Sequence, residues 1–207
     1  MKKYLYWTVV VFLICLARMI PFHWIVGSYN AHFSWSTMIA PIIAKYAGLS
    51  WVGLFVVTAR CTSWQMLFLS CIKRIPLMIS SRAYIQPSRM LYQCVPMLCM
   101  ILFMVHPVGQ KAWVYSLYWL IPFALWWVVD SMYIRALAAS FIAHAIGSVI
   151  WLYMGHIPAE IWLQLIPVVW IERLTMAGSI VACDYAVMGI KVAFKTLKQR
   201  TLALGLV

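Results

Sequence analysis

The strongest constraint on this chain is a succession of apolar runs, at about 4–20, 49–71, 93–107, 113–130, 136–154 and 161–190, each bounded by proline, glycine or charge. A bilayer core is about 30 Å thick and takes about 20 apolar residues of helix to cross. Runs of that kind, repeated through 207 residues, leave almost no chain for a soluble domain. Composition points the same way, with 66% hydrophobic side chains, 10% charged and a mean hydropathy of +0.92, where soluble domains average about 25% charged. The expected fold is an all-α polytopic membrane protein, a compact bundle of six transmembrane helices forming a single domain over 1–207.

The stretch 33–48 leaves the count open between six and seven. It is short for a crossing and is broken by Pro41 and Lys45, so it reads either as a re-entrant half-helix or as a short seventh span. Loop charge favours six. With 33–48 not crossing, Lys2 and Lys3, the cluster Lys73, Arg74, Arg82 and Arg89, then Arg135 and the basic tail at 191–207 fall on one side. The positive-inside rule makes that side cytoplasmic, so both termini are expected in the cytoplasm of a cell with the chain in its inner membrane. The formal charge of +12 then reflects topology and anionic headgroups beside Lys191–Arg200, and nucleic acid is not an expected partner. Met1-Lys2-Lys3 and the apolar run to Cys15 imitate a secretory signal, but Arg18 and Pro21 stand where a small-residue cleavage site belongs, so the run reads as a first span.

Catalysis finds little material. The acidic residues are Asp130, Glu160, Glu172 and Asp184, and the chain has no HExxH, no GxSxG and no phosphate-cradling glycine loop. Cys15, Cys61, Cys71, Cys94, Cys99 and Cys183 form no CxxC pair and read as small buried hydrophobes, with neither disulfide nor metal implied. An enzyme, a metal site and a cofactor are not expected.

Ionisable groups inside apolar runs are costly enough to ask for a partner or a watery cavity. Here they are Arg60, His144, Glu172 and Arg173, with Arg18 and Asp184 nearer span ends. In the last run, Glu172, Thr175, Ser179 and Cys183 lie on one helix face, which is expected to point inward. Arg173, Ala177, Ile180 and Asp184 form the adjacent stripe. Glu172 and Arg173 are neighbours in sequence and not i, i+4, so they are expected to reach different helices, with Arg60 as the partner of Glu172.

In the fifth run, Ala139, Ala143 and Gly147 form a small-residue face for close packing. Beside it Ser140, His144, Ser148 and Trp151 share a stripe that could make a polar pocket with an aromatic wall. The segment 21–35 carries Trp24, Asn30, His32 and Trp35 among further apolar residues; it is too apolar for a plain solvated loop and could close over such a pocket. Trp24, Asn30, His32, Trp35, His144 and Trp151 are therefore the candidate solute-binding residues, and Arg60 with Glu172 the candidate buried pair. Trp113, Trp126, Trp127, Trp151 and Trp162 fall near expected span ends and read as interfacial belt anchors.

Leu16-Ala-Arg-Met-Ile-Pro21, then Phe33-Ser34 leading to Pro41, Gly48-Leu-Ser-Trp-Val-Gly53, and Ile166-Pro167 with Glu172-Arg173 together resemble the substrate-binding S components of energy-coupling-factor vitamin transporters. The resemblance touches most of the chain and implies a small-molecule pocket near the outer face, capped by 21–34. It implies a partner too, a transmembrane coupling protein driven by ATPase subunits, although the first run carries Cys15 and Ala17 in place of that family's alanine-xxx-alanine docking pattern. It also implies that 33–48 is a true helix. The expected function is binding and uptake of a small aromatic or heterocyclic, vitamin-like solute; the alternative is a structural subunit that scaffolds an envelope complex without a solute.

Overall fold

The computed structural model describes residues 21–24, 32–34, 36–48, 64, 68, 71–72, 74–155 and 157–203. The expected spans at 4–20 and 49–71 lie outside these residues, apart from isolated positions of the second, as do Asn30, Trp35 and Arg60. The described chain is helical except for a short antiparallel ribbon, β1 (Pro21–Trp24) paired with β2 (His32–Ser34), in which Trp24 stands opposite His32. The segment expected as a capping loop therefore begins and ends in paired backbone.

Helix α1 (Ser36–Ala47) accommodates Pro41 within its body and stops where Gly48, at a φ of 106°, donates its N–H to the carbonyl of Ala44 at 3.1 Å. A glycine adopts that left-handed conformation without the strain a Cβ brings. The helix rises only about 18 Å, too short for a full crossing and long enough for a half-helix, and it buries Ala40, Ile42, Ile43 and Ala44.

Helix α2 (Ile75–Ile85) starts with Pro76 in its first turn and ends at Gln86, which precedes Pro87 and is thereby pushed out of helical backbone. A π turn at Met90–Cys94 leads into α3 (Val95–Val105). His106 adopts extended backbone before Pro107, and its ring Nδ1 accepts the N–H of Val108 at 3.3 Å to cap α4 (Pro107–Lys111). This reversal is tight: a Cβ on Gly109 would lie 1.8 Å from the carbonyl oxygen of Phe103.

The next segment is wound partly as 3₁₀ helix, at Trp113–Trp119 and Trp126–Val128, on either side of α5 (Leu120–Leu125). The steeper rise of 3₁₀ turns stretches Trp113–Val128 to about 29 Å, where an α-helix of equal length reaches about 24 Å. Helices α6 (Met132–Met154) and α7 (Ala159–Ala203) follow. Both contain stretches long and apolar enough to cross a membrane, and the short link between them folds them back on each other.

Helix α6 is the hub, packing against α2, α3, α5 and α7. Residues 136–142 are all buried, so this part of the helix is enclosed on every side and presents no amphipathic stripe. Close packing here rests on Ala136, Ala138, Ala139 and Ala145, all buried. At the far end of the expected small-residue face, no atom of the described residues outside the helix's own backbone lies within 4 Å of where a Cβ on Gly147 would stand.

Helix α7 differs from expectation in two ways. The inward stripe is Arg173, Ala177, Ile180 and Asp184, all buried, while Thr175 is exposed and Ser179 and Cys183 are half-buried. The hydroxyls of Thr175 and Ser179 donate back to the carbonyls of Ile171 and Thr175 at 2.7 and 2.8 Å, so they need no partner from another helix. Second, the basic residues from Lys191 onward continue the same helix as far as Ala203. The expectation that the cysteines are buried is met by Cys99, while Cys183 is half-buried and Cys71 and Cys94 are exposed.

Candidate functional site

Two polar centres lie in the described core, both contributed to by α6 or α7. The first surrounds His144. Its position in the enclosed part of α6 buries it together with Ser140 and Ser148, one turn to either side. The 3₁₀ segment brings Tyr115 to 5.4 Å from the His144 ring, and Tyr115 in turn packs 5.1 Å from Trp162 and 5.8 Å from Phe103. Trp119 and Trp162 meet Phe103 edge-on at 5.2 and 5.4 Å. These are contact distances for aromatic pairs, so α3, the 3₁₀ segment, α6 and the first turn of α7 are held by one ring cluster.

The polar atoms in this cluster are poorly matched. Tyr115 Oη and Ser148 Oγ approach at 3.4 Å, a long contact for two hydroxyls. Trp119 Nε1, Trp162 Nε1, Ser140 Oγ and His144 Nε2 are buried and have no hydrogen-bond partner among the described residues. A buried polar atom left without a partner costs about 1–3 kcal/mol, and native proteins keep few of them.

Arg173 lies within electrostatic reach of both His144 and Tyr115. It is buried and donates from Nη2 to Glu172 Oε2 at 3.1 Å. The two neighbours thus pair with each other, contrary to the expectation from helix periodicity, because a long guanidinium arm can fold back to the preceding carboxylate in spite of the helical offset. Arg60, the expected partner of Glu172, lies outside the described residues.

Behind the ring cluster an open groove of about 290 Å³ is lined by Val114, Leu117, Tyr118, Ile121, Ile166 and Trp170. Tyr118 separates it from the His144 centre, with its ring 6.4 Å from Tyr115, and donates to the carbonyl of Ile166 at 2.7 Å.

The second centre is built on Asp184, which is 0% exposed. Lys45 Nζ and Tyr46 Oη of α1 donate to its two carboxylate oxygens at 2.6 Å each, and Tyr84 Oη of α2 donates to the oxygen shared with Lys45. Lys191 stands 3.6 Å from the centroid of the Tyr46 ring, which places a second cation over the aromatic wall. Burial, and then the bond to Asp184, raise the Tyr84 phenol above its ordinary range. Both carboxylate oxygens are engaged, and three helices are pinned at one point.

The candidate residues named from sequence thus separate. His144 enters the ring cluster. Trp151, 39% exposed, lies beyond the point where the Ser140–His144–Ser148 stripe leaves the core. Trp24 and His32 are backbone partners in the register of the ribbon. Trp162, expected as a belt anchor, is 3% exposed and belongs to the core, whereas Trp113 and Trp127 are exposed as an interfacial role requires. Sequence reasoning passed over Tyr115, Trp119, Tyr84 and Tyr46. The i, i+4 spacing of Tyr115 and Trp119 is a signal, but 3₁₀ winding is not legible from it. Comparison with known proteins assigns no family: no family model matches the chain, and no curated protein or solved structure is significantly similar to it.

Proposed function

We propose that the chain is a multi-pass helical membrane protein that binds a small aromatic or heterocyclic solute and takes part in its uptake. The observation that carries this reading is the His144 centre, where four buried polar atoms, two of them indole N–H groups of the ring cluster, have no partner among the described residues. Sites that hold small molecules combine apolar walls with a few convergent polar groups, and polar groups at membrane depth are retained for function more often than for stability. Placement in the bilayer is supported by Met132–Met154 and the apolar part of α7. It is supported further by exposed Leu98, Ile101, Val105, Phe123, Trp127 and Ile171, an apolar exterior that water would not tolerate at this extent.

The topology carried with this proposal is six spans, α1 as a half-helix and both termini cytoplasmic, in the inner membrane. The resemblance to S components adds a separate transmembrane coupling protein with ATPase subunits as the energising partner. A second reading, a structural subunit without a solute, draws on the enclosure of residues 136–142 and on the saturated Asp184 centre.

Denaturing mass spectrometry of protein purified in nanodiscs separates the two. The uptake reading expects a stoichiometric small molecule in the native chain and its loss from a His32→Ala, His144→Ala variant. A native chain that releases none, and whose melting temperature no added vitamin or base raises, supports the scaffold instead.

A further inference from the structure

Resting on that reading, we infer that the His144 centre selects a planar solute that presents hydrogen-bond acceptors, a ring bearing carbonyl or carboxylate oxygens, and rejects cations. The unmatched groups decide the polarity. An indole Nε1–H donates and never accepts, so Trp119 and Trp162 each require an acceptor that the described residues do not supply. Ser140 Oγ, also without a partner, can donate a third bond, and His144 Nε2 can donate or accept according to its tautomer.

An aromatic cluster alone could hold a cation by its ring faces. Here a cation would leave both indole N–H groups unmatched, because it offers them no acceptor. Planarity follows from the walls, since Phe103, Tyr115, Trp119 and Trp162 offer ring faces and edges in contacts of 5.1–6.3 Å. Those rings are in contact, so a solute must part them. The element suited to yield is Trp113–Trp119, which carries Tyr115 and Trp119 as 3₁₀ turns, a winding with weaker hydrogen bonds than the α-helix. The groove lined by Val114, Leu117 and Tyr118 lies along this same element.

The test uses the full-length chain in nanodiscs, with ¹⁵N-labelled tryptophan, and two classes of probe: nicotinate and xanthine as acceptor-bearing rings, benzyltrimethylammonium as a planar cation. The expected result is that an acceptor-bearing probe shifts the indole N–H resonances of Trp119 and Trp162 and raises the melting temperature, while the cation does neither. Trp119→Phe and Trp162→Phe, which keep an aromatic ring, should each weaken that binding about tenfold, the value of one hydrogen bond. The resonance shifts are read on the native chain, so a variant that fails to fold does not remove the test.

Binding of the cation, or of a co-purified solute that leaves both indole resonances unmoved, would overturn this inference while the uptake reading stood. Indole resonances that respond to no probe, together with no co-purified solute, would leave internal water as the acceptor. That outcome would overturn both.

Discussion

The Asp184 and His144 centres are both buried and both joined by several helices, yet one is saturated and the other is not. At Asp184 a single carboxylate receives Lys45, Tyr46 and Tyr84. At His144 four buried polar atoms have no partner among the described residues. A saturated buried network fixes geometry, because removing any member strands the others. An unsaturated one costs stability in the free protein and recovers it when a matching group arrives. The contrast suits an architectural role for the first centre, tying α1 and α2 to α7, and the proposed recognition role for the second.

Substitutions break or sharpen the contrast in order of size. Asp184→Ala should be the most damaging, at about 3–5 kcal/mol, because it takes the charged acceptor from buried Tyr84 and half-buried Tyr46 and the counter-ion from Lys45; thermal melting in nanodiscs measures it. Gly109→Ala comes next at about 3 kcal/mol, since its Cβ would collide with the Phe103 carbonyl and the wall of the His144 cluster must shift to admit it. This variant should lose solute retention as well as melting temperature.

Tyr84→Phe removes one bond to a charged acceptor and should cost about 2 kcal/mol in the same melting assay. Ser140→Ala should be nearly silent, within about 0.5 kcal/mol or slightly stabilising, because the hydroxyl it removes has no partner to lose. A large loss at Ser140, or none at Tyr84, would dissolve the distinction between the two centres.

Much of this arrangement was legible in the sequence, but unevenly. The helix at 132–154 and the part of the last helix up to about 190 follow from long apolar runs bounded by Ser131, Gly155 and Pro158, while its basic continuation to Ala203 does not. The stop after α1 follows from Gly48. His144 stood out because a histidine in an apolar run has few neighbours able to satisfy it. The inward face of α7 was misread because the Glu172–Cys183 stripe carries the more polar pattern; hydroxyls can return to their own helix, and a purely periodic argument does not see this. Asp184 was under-read for a related reason. Its partners Lys45, Tyr46 and Tyr84 are about 100 or more residues away, and separation on that scale leaves no local trace. Trp162 looked like an interfacial anchor by its position near a span end, and only the reversal at Gly109 and the 3₁₀ segment enclose it.

The most direct test of the central claim is a single variant, His144→Leu, assayed in nanodiscs for melting temperature and for retained solute. Leucine fills a similar volume and removes an unpartnered buried nitrogen. The account predicts a melting temperature equal to or above that of the native chain, with the solute gone. A fall in melting temperature comparable to Asp184→Ala, with the solute still retained, would contradict it, for His144 would then be holding the bundle together and the recognition centre would lie elsewhere.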